Sequence, residues 1–246
     1  MHYNEQFPEL PGERQPNKKI WTEKYRPKTL DEIIGQENIV KILKSYSQKP
    51  VAEIPPMLFY GSYGLGKTTA ARAFIPDLPM FHDNSAKDRG IQYARLIDYY
   101  LYNLTLFPYM HNSDSQSKPS RTDGIKIIID EAEQITPEAQ VVLRDGMERG
   151  GKWAVIIMIT NNMNKINEGL KERFPLKLEF KLVPDEKMRV LAKKIIQAEN
   201  VNISSEDLEK VIRMATGIPR RLVQNLNVYA DTGVLPEEQE SMNNYD

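Results

Sequence analysis

The sequence predicts an α/β domain with a mostly parallel sheet flanked by helices, followed by a small all-helical domain. Three observations predict it. Short apolar runs at 57–60 (MLFY), 125–130 (IKIIID) and 153–160 (WAVIIMIT) have the unbroken hydrophobicity of strands buried on both faces. Helical patterns separate these runs, and strands alternating with helices form a parallel sheet. After Pro184 the pattern changes, and 185–199, 204–215 and 219–230 read as three helices with no strand between them.

Each element follows from local signals. Residues 1–19 carry Pro8, Pro11 and Pro16 among polar residues and read as an extended arm. Ile39, Ile42 and Leu43 have helical spacing within 36–48. The MLFY strand ends at Gly61, and a helix begins near Gly66 and stops by Pro76. Residues 88–102 read as a helix, and 110–124 (MHNSDSQSKPSRTDG) as a polar loop. Thr136, Pro137 and Glu138 supply a cap, a first-turn proline and an early acid, opening a helix through about Met147. LKLEF (176–180) reads as a further strand. The expected division is an arm at 1–20, an α/β domain at 21–181, a small helical domain at 182–233 and an acidic flexible tail at 234–246.

Composition excludes several classes. The chain has 246 residues and no Cys, which removes disulfide scaffolds, Cys-ligated zinc and thiol catalysis. His2, His82 and His111 lack metal-ligand spacing. No run approaches the ~18 apolar residues of a membrane span, and MHYNEQFPEL lacks a signal-peptide core, so the expectation is a soluble, cytoplasmic protein with no membrane partner. Lys and Arg number 33 against 34 acids, and setting aside 234–246 leaves 33 against 30. That balance is too mild to argue for nucleic acid, so any DNA binding must come from local placement.

The chemistry concentrates in three segments. GSYGLGKT (Gly61, Ser62, Tyr63, Gly64, Leu65, Gly66, Lys67, Thr68) fits a phosphate-binding loop between a strand and a helix. Loop N–H groups and the helix N-terminus converge on phosphate oxygens, Lys67 adds a cation and Thr68 offers a hydroxyl to Mg²⁺. IKIIIDE ends a buried strand in two acids: Asp130 can hold Mg²⁺ and Glu131 can polarise an attacking water. WAVIIMITNN ends a second strand in amides, where Asn161 would lie beside the γ-phosphate and orient that water.

Residues 21–37 (WTEKYRPKTLDEIIGQE) resemble the opening of replication factor C small subunits, AAA+ ATPases of the sliding-clamp loader. Collinear matches follow in MLFYGSYGLGKTTAARA, in DNSAKDRGI (83–91), in IIIDEAEQITPEAQVVLRDGME (127–148), in TNNMNKINEGLKERF (160–174), at the sensor 1 to Ser-Arg-Cys stretch, and in GIPRRLVQNL (217–226), at the sensor 2 helix. The family's Ser-Arg-Cys is Glu172-Arg173-Phe174 here, and two loop prolines are replaced by Ser62 and Tyr63. GLGKTT and GIPR also resemble Holliday-junction branch-migration motors, the alternative reading. Family members carry a third, helical collar domain, and the matches end by residue 231. The expectation is therefore assembly through AAA+ contacts alone, assembly with a collar-bearing partner, or a trimmed or divergent relative of the family.

The resemblance implies a site and partners. Tyr25, Arg26 and Pro27, with Ile33 and Ile34, border the adenine of ATP, and Thr69 follows Thr68 in the loop. Arg220 is the sensor 2 arginine, reaching the phosphates from the 182–233 helical domain, the lid. Arg173 is a finger acting on a neighbouring subunit's ATP. Arg89 contacts DNA and couples its phosphates to Glu131. The implied partners are a sliding clamp, other loader subunits and primer-template DNA at replication sites. The aromatic stretch 93–109 is either core or clamp interface.

Overall fold

The computed structural model describes residues 20–83, 89–111, 124–149 and 154–235. The arm at 1–19, the acidic tail beyond 235, most of 110–124, and 84–88 of the DNSAKDRGI match lie outside them. Five parallel strands form one sheet: β1 (Met57–Tyr60), β2 (Met80–Asp83), β3 (Ile125–Ile129), β4 (Ala154–Thr160) and β5 (Leu176–Glu179), in the order β2-β3-β4-β1-β5. β1 sits between β4 and β5, with Tyr60 level with Thr160 and Glu179.

The period-2 alternation of each strand explains its unbroken hydrophobicity. Met57 and Phe59 point into one core with Leu43 of α2 (Glu37–Tyr46) and Ala70 of α3 (Lys67–Ala73), whereas Leu58 points into the other. Ile128 likewise joins the first core, and Ile127 and Ile129 the second, against Ile97 and Leu143. Those two come from α4 (Ile91–His111) and α5 (Pro137–Arg149).

Two elements differ from the sequence expectation. β2 lacks an apolar run: its MFHD sequence carries two polar residues in four, so periodicity does not reveal it. α4 continues nine residues past the expected end at 102, through Pro108, because the apolar and aromatic run extends to 109 before the Ser/Asn-rich segment begins. Its aromatic stretch is split. Tyr93, Ile97 and Leu101 are core, Tyr100 packs on Phe81 with centroids 4.7 Å apart, and Leu96 and Tyr99 are exposed. The side chains of 102–109 lie outside the description.

The C-terminal helices α7 (Asp185–Glu199), α8 (Ser205–Ala215) and α9 (Pro219–Thr232) enclose a third core. Ser204 caps α8 by accepting from Asp207 N at 3.0 Å, and Pro219 opens α9 where no N–H is required. Trp21, from the short helix α1 (Trp21–Lys24), buries its indole among Met188, Val211 and Leu226 of these helices. Val183 joins the same core. The segment expected to open the sheet domain therefore packs on the helical one, and the remaining short helix, α6 (Glu168–Lys171), leads from β4 towards β5.

Candidate active site

The tips of β1, β3 and β4 lie side by side, so the turns that follow them meet at one edge of the sheet. After β1 the chain turns through Gly64 (φ +77°) and Gly66 (φ +95°), conformations open to glycine, before α3 begins at Lys67. A Cβ on Gly64 would come within 2.7 Å of Ile218 and 3.1 Å of the Arg220 Cβ, so the loop touches the start of α9 directly.

Lys67 is buried, and its ammonium donates to Gly61 O at 2.8 Å, Ser62 O at 2.6 Å and Asn161 Oδ1 at 2.8 Å. Three donors meet three acceptors. Burial depresses its pKa to about 8, with Arg220 adding to the effect against the pull of Asp130 and Glu133. An ammonium held only by neutral oxygens is ready to exchange them for anionic phosphate.

Thr68 Oγ1 donates to Asp130 Oδ2 at 2.7 Å. Burial would raise the Asp130 carboxyl. The His82 imidazole, the Thr68 hydroxyl and the Glu131 N–H outweigh it and hold the group below its ordinary value. Two hard oxygen donors side by side suit Mg²⁺, which binds through one or two protein oxygens plus phosphates and water. No cluster of three or more His, Asp or Glu ligands occurs among the described residues.

Glu131 begins its turn at φ 50°, ψ 45°, a left-handed conformation unusual outside glycine. Its Oε2 accepts from Gln134 Nε2 at 2.9 Å, at the edge of the site. Arg89 lies at the acid-bearing strand end. It is 4% exposed, its Nη1 donates to the main-chain oxygen of Asp130, and its guanidinium lies 5.1 Å from the Tyr93 ring centroid.

An open cleft lies beside the loop. Tyr25, Arg26, Pro27, Ile33 and Ile34 line it with Gly64, Leu65, Gly66, Thr69 and Arg220. Sequence reasoning missed its other walls: Thr22 and Glu32 on one side, Leu191, Lys194 and Val223 on the other. Glu199 pins the cleft's rim, accepting from the Tyr25 hydroxyl and from Lys24. Burial and that carboxylate push the Tyr25 phenol up to about 12.

Arg173 stands apart from this cluster. It follows α6, is exposed, and pairs with Glu148 near the end of α5. Phe174, which replaces a small residue of the resembled motif, is fully buried in the second core and anchors the turn that presents Arg173. Tyr63 is 64% exposed at the loop crest, its hydroxyl 3.5 Å from Glu133.

Comparison with known proteins agrees with this geometry. Residues 57–182 match the family described as "ATPase family associated with various cellular activities (AAA)". A replication factor C small subunit of Archaeoglobus fulgidus is 33% identical over 225 residues, 88% of this chain and 66% of that protein. That of Thermoplasma acidophilum is 32% identical over 228 residues, 89% of this chain and 67% of that protein. The chain belongs to the AAA ATPases, in the replication factor C small-subunit group. Replication factor C subunit 4 of Homo sapiens is 34% identical over 221 residues and matched over 59% of its length. The chain thus spans about two thirds or less of the length of these curated relatives. Among solved structures, RuvB of Thermotoga maritima aligns with TM-score 0.62 at 20% identity, over 84% of this chain and 65% of that one. At that identity it shows the AAA fold alone. No helix among the described residues is long and apolar enough to cross a membrane.

Proposed function

We propose that this AAA ATPase is a motor subunit of a sliding-clamp loader, using ATP binding and hydrolysis to place a clamp on primer-template DNA. The observation that carries the ATPase half is the convergence of Lys67, Thr68, Asp130 and Asn161 within hydrogen-bond distance beside a cleft walled by both the loop and α9. The relatives' names support the clamp-loading half.

In this reading, adenine lies between Tyr25, Arg26, Pro27, Ile33 and Ile34. The triphosphate follows the loop, from Gly61 to Thr69. Lys67 leaves its carbonyl acceptors for the β- and γ-phosphates. Thr68 and Asp130 would separate to hold Mg²⁺, which neutralises charge on the transferred phosphoryl group when bound. Glu131 accepts the proton of the attacking water, and Asn161 orients that water. Arg220 reaches the phosphates from the 182–233 lid, so nucleotide binding fixes the lid against the sheet. Arg173 completes the site of a neighbouring subunit. Arg89, lodged on the Asp130 carbonyl beside Glu131, couples DNA phosphates to that acid.

The test is steady-state ATP hydrolysis with and without primed DNA and a ring-shaped processivity clamp. The clamp-loading reading expects DNA and clamp together to stimulate turnover. Stimulation by DNA alone, with the clamp inert, would move the chain towards the branch-migration alternative. DNA affinity should fall steeply with salt and ignore sequence, because the contacts are to phosphates.

A further inference from the structure

Glu133 lies outside the roles just described, yet it makes more hydrogen bonds to the site than any other carboxylate in it. It sits in the 3₁₀ turn Ala132–Gln134 that follows β3, and the parallel pairing of β3 with β4 leans this turn over the β4 tip. Its Oε1 accepts from Asn161 Nδ2 at 2.6 Å. Its Oε2 accepts from Asn161 N at 3.1 Å and from Thr160 Oγ1 at 2.9 Å. Thr160 is fully buried and serves as a fixed platform. Burial would raise the Glu133 carboxyl, but these donors and its own backbone N–H outweigh it and hold the group below its ordinary value.

The two ends of the Asn161 amide therefore meet partners of opposite kind. A carboxylate only accepts and an ammonium only donates. Glu133 must face Nδ2, and Lys67 must face Oδ1, so the amide has one permitted orientation. The second Nδ2 hydrogen is then directed by the amide plane, on the side of the Tyr63 hydroxyl with which the amide also interacts. When Lys67 turns to phosphate, the Lys67 constraint on the amide disappears and the Glu133 constraint stays.

We propose that Glu133 is the positioning residue for the ATPase reaction, gripping the side chain and main chain of Asn161 so that its amide is held in one orientation towards the γ-phosphate and attacking water. The proposal rests on the ATPase reading of this site. A Gln in its place keeps the size but offers one acceptor oxygen where the carboxylate offers two, and places an NH₂ against donors.

The experiment compares the wild-type chain, in whatever assembly turns over ATP, with Glu133→Gln, Asn161→Ala and the double variant. Glu133→Gln should lower kcat about tenfold or more while Kd for ATP moves less than about threefold, a split that loss of fold would not produce. In the Asn161→Ala background the same change should cost nothing further, because the group it positions is gone. A second readout needs no turnover. One side-chain amide proton of Asn161 should resonate downfield in the wild-type protein, as expected for a charge-assisted bond, and move upfield in Glu133→Gln. Unchanged kcat, additive losses in the double variant, or an Asn161 amide signal indifferent to Glu133 would each overturn the proposal. A wild-type protein that hydrolyses no ATP would instead remove the ATPase reading, and the amide signal would still decide whether the grip exists.

Discussion

Lys67 Nζ and Asn161 Oδ1 lie 2.8 Å apart, joining the turn after β1 to the turn after β4. The adjacent strand pairing brings them together: Tyr60 is level with Thr160, so the residues that follow leave the sheet at the same height. The lysine is desolvated, and its charge is compensated only by neutral oxygens and more distant carboxylates. Phosphate is a far better partner than any of the three carbonyl-type acceptors.

Lys67→Ala removes that point charge, and the loop keeps only its N–H groups for the triphosphate. ATP affinity should fall about 100-fold or more, roughly the contribution of a buried charge-assisted contact. Isothermal titration reads it directly. An affinity within about threefold of the wild type would place the triphosphate elsewhere.

Glu131→Gln preserves the volume and the turn, and leaves Thr68 and Asp130 untouched. ATP should bind normally, and turnover should fall about 10²–10⁴-fold, the range for a lost general base. With DNA present, the variant should accumulate in a DNA-bound state, visible by fluorescence anisotropy. Wild-type turnover would exclude Glu131 as the base.

The sheet and phosphate loop were legible because their signals are local: an unbroken apolar strand, a glycine loop, a helix. That Tyr25, Arg26, Pro27, Ile33 and Ile34 share a cleft was legible only through family resemblance, since nothing in their spacing says so. β2 was hidden by His82 and Asp83 within four residues. Glu133 was hidden for a different reason. It stands two residues after the acid pair, an ordinary place for a solvated turn acid, and only the β3–β4 pairing carries it over Asn161. Arg89 reads as a DNA contact through family resemblance, and its packing on Tyr93 and the Asp130 carbonyl is not announced by its neighbours in sequence.

Lys126 gives a prediction about stability. It is 1% exposed within β3, and its ammonium donates to Arg72 O at 2.8 Å and Phe74 O at 2.7 Å, capping the C-terminal end of α3. Burial, with Arg72 adding repulsion, depresses its pKa to about 8. In the unfolded chain its pKa is ~10.4. Between these values the folded protein has lost the proton and the unfolded chain keeps it, so stability rises with pH. Below about 8 the full cost of the buried charge remains. From pH 7.5 to 9.5 the gain from this group should be about 2 kcal/mol. Urea denaturation of the wild type against Lys126→Met isolates it, because the variant should lack that part of the slope. Equal slopes would show that Lys126 is not the group responsible.

Arg173 is the remaining cation of the proposed mechanism, and its placement favours action in trans. Its partner within the chain is Glu148 of α5, and both are exposed, so the pair is weakly held and easily exchanged. Asn167 caps the helix before it, accepting from Leu170 N at 2.7 Å, and buried Phe174 fixes the turn after it. The backbone is thus rigid while the guanidinium is free to leave. A neighbour's γ-phosphate offers it a stronger anion, and its planar fork suits that role better than a lysine ammonium. Arg173→Ala should leave ATP affinity nearly unchanged and lower turnover by ~10³–10⁵, the range for arginine fingers supplied by a neighbour. Mixing Arg173→Ala with Lys67→Ala should restore part of the activity. At mixed interfaces the Lys67→Ala subunit donates an intact finger to a neighbour whose loop still binds ATP. The same mixture showing no recovery, or a strictly monomeric wild type whose activity depends on Arg173, would place the arginine in its own subunit's site.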